Sequence, residues 1–505
     1  MPLLWKGSWQ VSLNRREFLR LSALLAGSAA LSACGPAYGR LAGLGAARQP
    51  WPDADSDSFR RLLRLTYGPL PLERQQVAEH GLAAWIETQL SPESIDDTRL
   101  AFRLRPYDAL GLQANALADW EQETVVDQLR RATLQRRQYS ARQLYERMVE
   151  FWTDHFNIYV AKGDCWFLKV IDDREVVRKH ALGNFHDLLL ASAHSPAMLV
   201  YLDNQANEKA APNENYSREV MELHTLGVGS GYTQQDVMEL ARCLTGWGVK
   251  KHFWRGQFRF EADRHAGGVK RVLGHDVRPA GEAEAEQVLS RLALHPATAV
   301  HLATQLVERF VADHPQQVVP DMVSRAANAY LQSGGEIKAM LKVILLDGIA
   351  RRDFDLPKKF KRPSDFVTSA LRLLQVESDG GPDIQDHLAA MGQGLFDWPT
   401  PDGPPDVEEA WATSLLPRWS FALDLAKDGL EGSQVHLPEL MRSAGATDPS
   451  EMLSALSRLL LGGAPSQGLA QALAEGLTQS NADPAEDVPA VIAAGLLAAP
   501  AFQWR

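Results

Sequence analysis

From Ser56 onward, apolar residues return every three or four positions, the period of a helix that turns one face to a core. Phe59, Leu62, Leu63 and Tyr67 begin the series. The pattern predicts one long helix over about 117–160. Further helices are predicted over roughly 168–181, 183–193, 215–226, 234–246, 282–293, 297–312, 318–332, 335–347 and 363–375. Short Leu/Ala-rich helices follow around 407–427, 449–461, 467–478 and 486–497. Two stretches break the period. In Lys251–Phe260 aromatics flank Arg255-Gly256, which predicts a β-hairpin there, with 269–272 as a third short strand. Trp398–Pro405 is a rigid proline-rich loop. The predicted fold class is therefore mostly α: a large multi-helix domain over 56–505 with a small β-hairpin insertion near 251–273. A separate C-terminal helical subdomain from about 406 is the alternative division.

The N-terminus follows a different logic. Asn14-Arg15-Arg16-Glu17-Phe18-Leu19 is a twin-arginine pattern, and a mild apolar run follows from Leu21 to Ala33. The run is too short to span a bilayer and reads as the apolar part of a signal peptide over residues 1–33. Twin-arginine signals are addresses read by a translocase, which is thereby an expected partner. Leu31-Ser32-Ala33-Cys34 resembles a lipobox, in which Cys34 becomes the lipidated first residue. Each buried methylene of an acyl chain adds about 0.8 kcal/mol of membrane affinity. Residues 34–55, rich in Gly, Ala and Pro, read as a flexible tether. The expectation is an exported, membrane-anchored lipoprotein facing the periplasm or the cell surface. This route carries folded cargo, which directs attention to a cofactor.

Charge narrows the partners. The chain carries −11 at pH 7, and removal of residues 1–33, which hold four basic residues and one acid, takes it to −14. No basic stripe offsets this, so nucleic acid is not an expected partner. After lipidation only Cys165 and Cys243 remain, too few for a disulfide scaffold. A free, buried Cys243 is the expected state, with pairing to Cys165 as the alternative.

Four segments carry a family resemblance: Arg147–Asn157 (RMVEFWTDHFN), Asn213–Gly227 (NENYSREVMELHTLG), the stretch from Tyr232 to Trp247, and Lys361-Arg362-Pro363-Ser364. Met391-Gly392-Gln393 and the proline loop fit as well. Their order and wording resemble the bacterial family known as domain of unknown function eighteen hundred, over about Phe59 to Phe421. The resemblance implies an exported protein, often encoded beside a sulfatase-like partner. It implies no reaction.

Candidate chemistry comes from the same segments. On a helical wheel of about 100° per residue, Met148, Phe151, Trp152, Phe156 and Tyr159 form an apolar face that includes His155. Glu150, Asp154 and Asn157 fall on the opposite, polar face. A buried imidazole needs a carboxylate, a carbonyl or a metal. In 215–226, Tyr216, Val220 and Leu223 form the apolar face, with Glu219 at one edge and His224 at the other. Glu222 follows Glu219 by one turn, a spacing that places two carboxylates on one metal or substrate. Arg218 and Arg242 offer the plainer reading, a structural ion-pair network. Asp236 completes a capping box with Thr233, and Glu239 lies one turn further on. His265 sits in a Gly-rich loop, as a ligand or as a solvated side chain.

Together, His155, Glu219, His224 and His265 are the metal candidates, for Zn, Mn or Fe; Glu219, Glu222 and Asp236 are the catalytic candidates. Serine-hydrolase, zincin, phosphate-loop and dinucleotide motifs are absent from the sequence. Trp152, Trp166, Trp247, Trp254 and Trp398 offer an aromatic groove for sugar rings, or simply packing. Two functions remain: a metal-dependent envelope enzyme acting on a glycan or surface polymer with a sulfatase-like partner, and a non-catalytic lipoprotein that binds or assembles an envelope component.

Overall fold

The computed structural model describes residues 55–479 and 487–505. The export signal at Arg15 and Arg16, the lipidation site Cys34 and nearly all of the tether lie outside the described residues. Within them helices dominate, joined by three antiparallel two-stranded ladders. No helix among the described residues is long and apolar enough to cross a membrane.

Most of the predicted helices form near their expected bounds. The expected helix over 117–160 is several pieces, chiefly Gln122–Tyr139 and Gln143–His155. The break is at Ser140, whose hydroxyl donates to Asp97 (2.7 Å) while Ala141 N–H donates to the same carboxylate (2.9 Å). A side chain distant in sequence thus takes the groups that a continuous helix would have used itself. The β region also differs. The strand Trp247–Val249 pairs with Phe258–Phe260, and Lys270–Val272 pairs with His275–Val277. His252–Trp254 is a single 3₁₀ turn, with Phe253 and Trp254 exposed between the strands. Gly246 precedes the first strand at φ +83°, and a Cβ there would lie 2.6 Å from the Glu261 carbonyl oxygen, so the close approach requires glycine. A third ladder, Glu377–Ser378 with Ser433–Gln434, had no signal in the hydrophobic pattern.

The apolar core divides in two. One cluster runs from Leu62 to Leu356; the other runs from Phe366 to Phe502 and takes in Phe59, Leu63 and Leu134. The Ser56–Leu65 helix lies between them, sending Leu62 and Leu65 into the first and Phe59 and Leu63 into the second. Its Arg61 donates to the carbonyls of Ile349 (2.8 Å), Arg351 (2.8 Å) and Phe354 (3.0 Å), so this helix also ties down the strap that crosses between the clusters.

Between the clusters lies a sheet of charge. Glu150 is fully buried and faces Arg362 (2.9 Å), Arg137 (3.2 Å), Arg309 (3.5 Å) and Arg147 (3.6 Å). Tyr67 and Ser364 hydroxyls donate to it at 2.9 and 2.6 Å. Asp154 takes Arg309 (2.6 Å) and Arg362 (2.7 Å); Asp365 pairs with Arg147; Asp406 takes Arg309 (2.9 Å) and Lys359 (3.1 Å). The polar face of Gln143–His155 therefore meets another layer of protein, not water. The wheel separates the two faces but does not show what the polar one meets.

Burial by itself raises the Glu150 pKa, but Arg137, Arg362 and Arg309 pull it well below its ordinary 4.5. A carboxylate depressed on folding stabilises the fold above its unfolded pKa and loses that contribution as pH falls through the folded value. Glu150→Gln leaves several buried guanidinium groups short of charge and is expected to cost about 3–5 kcal/mol at pH 7 in urea unfolding. The gap between wild type and variant should narrow steadily below about pH 4. A gap that stays constant down to pH 2 would contradict this assignment.

Candidate functional site

The helix that carries Glu219 and His224 is not one regular helix. Asn215–Glu219 is α-helical, and Val220–His224 is a π turn. A π turn holds one residue more than an α turn and advances the phase of everything after it. Here Thr225 closes the turn, its hydroxyl donating to the Val220 carbonyl (2.6 Å). The predicted edge residue His224 is rotated into the core, 1% exposed, while Leu223, predicted to be core, lies only partly buried.

Inside that turn are three imidazoles. The His155 ring centre is 5.9 Å from that of His224 and 6.3 Å from that of His301. His155 Nε2 faces the His224 carbonyl (3.2 Å), and Nδ1 lies 2.9 Å from the Gln305 carboxamide. Both ring nitrogens of His155 thus face oxygen acceptors, Gln305 Oε1 and the His224 carbonyl, and a neutral imidazole donates to only one of them. His301 Nε2 donates to the Leu223 carbonyl (3.0 Å). Both ring nitrogens of His224 are buried without a hydrogen-bond partner. Burial, with the neighbouring His301, pushes the His155 pKa down to about 3, and burial likewise drives that of His224 well below its ordinary value. The rings are neutral and enclosed by Trp152, Phe156 and Phe185.

The carboxylates lie elsewhere. Glu219 is partly buried, and burial first, then the charges of Glu222 and Asp402, raise its pKa against the pull of Arg218. Arg218 reaches Glu214 (3.1 Å) and Glu222 (3.5 Å). Asp402 arrives on the proline loop, which is held from below. Asn157 donates to the carbonyls of Trp398 (3.0 Å) and Thr400 (2.7 Å), and Tyr201 Oη donates to that of Pro399 (2.9 Å). Gly403, at φ +70°, presses against the Asp154 carbonyl so closely that no Cβ fits. The proline loop thus brings Asp402 close enough to Glu219 and Glu222 for their charges to be felt, above the buried Tyr201.

The other candidates are accounted for locally. Asp236 caps its helix: Thr233 N–H donates to it (2.8 Å), Thr233 Oγ1 accepts from Asp236 N–H (3.2 Å), and the second carboxylate oxygen accepts from Leu273 N–H (2.6 Å). With the Thr233 hydroxyl also on the carboxylate (2.6 Å), three of its acceptor positions are taken by the cap and by Leu273. Glu239 is bound at 2.8 and 3.0 Å by Arg242. His265 is not loose in its loop; Nδ1 donates to the Thr245 carbonyl (2.8 Å) and Nε2 meets Glu284 (3.1 Å), itself paired with Lys270. Cys165 and Cys243 are buried and free, and burial pushes each thiol up to about 12. Trp152 and Trp247 are fully buried, so the five tryptophans do not form one groove.

Among the described residues, the one group of three or more His, Cys, Asp or Glu side chains whose donor atoms lie within 4.8 Å of one another is His194, Glu282 and Glu286. The set His155, Glu219, His224 and His265 does not converge on a metal position. A cleft of about 670 Å³ lies apart from all of them, lined by Trp85, Asp97, Tyr139 and Arg372. Its charges are satisfied: Arg372 pairs with Glu73 (2.5 Å), and Asp97 holds Ser140 and Ala141. His301, Gln305 and Asp402 were missed in the sequence. The available signal was a His and a Gln one turn apart in the 297–312 helix.

A buried, unpartnered imidazole costs about 1–3 kcal/mol. Its lowered pKa means that the unfolded chain takes up a proton first, so stability is lost as pH falls through about 6.5. His224→Phe is therefore expected to melt at or above the wild-type temperature at pH 7.5, with a larger advantage at pH 5 in calorimetry. A drop of several degrees at pH 7.5 would mean that the ring nitrogens hold something.

No curated protein and no solved structure matches the chain. A family model matches residues 60–504, almost the whole of the described body, and the chain belongs to the family described as Protein of unknown function (DUF1800).

Proposed function

We propose that this protein is an exported, lipid-anchored envelope component that binds a surface glycan or similar polymer on the face formed by Glu219, Glu222 and Asp402. The observation that carries the reading is this gathering of two partly buried glutamates and the exposed Asp402 above the buried Tyr201, set apart from the buried His155 and His224. Carboxylates accept paired hydrogen bonds from vicinal hydroxyls, and a protonated one also donates. A partly dehydrated site strengthens both. The twin-arginine pattern at Arg15-Arg16 and the lipobox at Cys34 support envelope placement. A sulfatase-like protein is the proposed partner on the same polymer.

One observation favours a second reading. Burial and the neighbouring Glu222 raise the Glu219 pKa, which suits a carboxyl that donates a proton, and glycoside cleavage needs such an acid with a second carboxylate nearby. In this reading Glu219 protonates the leaving oxygen, and Asp402 or Glu222 serves as base or nucleophile.

Glu219→Gln and Asp402→Asn should each weaken co-sedimentation with isolated envelope polysaccharide by about tenfold or more, a loss of about 1.4 kcal/mol. Unchanged binding in both would sink the proposed face. If Glu219→Gln binds normally but releases no reducing sugar where wild type does, the catalytic reading replaces the binding one. Cys34→Ala is expected to abolish labelling by radioactive palmitate, and Arg15→Lys with Arg16→Lys to leave the precursor in the cytoplasm. Retained palmitate in the first, or normal export in the second, would count against the anchor or the route.

A further inference from the structure

We infer that His194, Glu282 and Glu286 form a binding site for one divalent transition metal, of which zinc is the best fit. The site is separate from the carboxylate face and from the enclosed histidines. His194 ends the Phe185–Ala193 helix, where its Nδ1 lies 2.8 Å from the Leu190 carbonyl. That carbonyl can only accept, so Nδ1 carries the proton and a neutral ring offers its lone pair at Nε2. The ring cannot turn away. It stacks on Trp247 with centroids 4.4 Å apart, and Phe258 meets it edge-on at 4.6 Å. A carbonyl that fixes the ring and selects its tautomer is the usual support of a metal-binding histidine.

Nε2 then points at two carboxylates one turn apart, Glu286 at 3.3 Å and Glu282 at 4.0 Å. A lone pair facing two anions repels them, so the arrangement calls for a cation between or a proton on the ring. The distances favour the cation. A charge-assisted N–H···O bond closes to about 2.7–2.9 Å, and neither contact does. Two ligands on one tetrahedral zinc, with bonds of about 2.0–2.1 Å, stand about 3.4 Å apart. The Glu286 contact already has that spacing, and a small rotation of Glu282 completes it.

The surroundings agree. Among the described residues, the only ion-pair partner of Glu282 or Glu286 is His194. All three side chains are partly exposed, so an ion can enter. One imidazole and two carboxylates suit zinc or manganese. Three protein ligands leave a fourth position for water or an exogenous donor atom.

The test is titration of the metal-free full chain with Zn²⁺ in a calorimeter, beside Glu286→Gln and Glu282→Gln, which keep side-chain size at exposed positions. Co²⁺ titration followed by tryptophan fluorescence adds a local readout, because Trp247 touches the ligand ring. The expected result is one zinc per chain. Each variant should weaken binding by more than the roughly 10–100-fold that loss of an outer support costs, and Co²⁺ should quench wild type alone. No zinc bound, or equal binding in wild type and both variants, overturns the site. Either result leaves the Glu219–Asp402 face untouched, since no residue is shared.

Discussion

The structure depends on the neutralisation of Glu150. A carboxylate taken wholly out of water is tolerated only if it is paired and hydrogen-bonded. Glu150 collects four guanidinium groups and two hydroxyls to meet that requirement. Those partners come from Tyr67, Gln122–Tyr139, Gln143–His155, Pro296–Phe310 and the start of Pro363–Leu373, so elements of both apolar clusters must be in place together. Apolar packing alone would allow the two clusters to slide. A directional set of ion pairs restricts them to one registry, the best-attested use of buried charge.

That registry places the candidate face. Asp154, held by Arg309 and Arg362, lends its carbonyl as the floor against which Gly403 packs. Asn157, just past the end of the same helix, holds the proline loop by two carbonyls. The position of Asp402, whose charge is felt at Glu219, therefore depends on contacts that start in the buried network. One helix terminus anchors the interior on one side and presents a surface loop on the other.

The histidines and the carboxylates were expected to act together, and the fold gives them opposite environments. His155 and His224 are dehydrated into neutrality. Glu219 and Glu222 keep contact with water on the far side of the π turn. The single residue added within Val220–His224 makes this separation, because it changes which side chain of the Glu-Leu-His run faces inward.

Local periodicity was enough to determine the helices, the mostly α class and the Thr233–Asp236 cap, since each rests on neighbours within a turn or two. The wording of four segments was enough to mark the family. Tertiary structure alone decided that Glu150 and Asp154 face a second protein layer, that Ser140 ends a helix for the sake of Asp97, and that a π turn carries His224 inward. It also brought together His194, Glu282 and Glu286, which are far apart in the sequence. The physical reason is common to all four. A wheel or a motif counts only bonds made along the chain, whereas the free energy of burying a charge depends on partners that the chain delivers from far away.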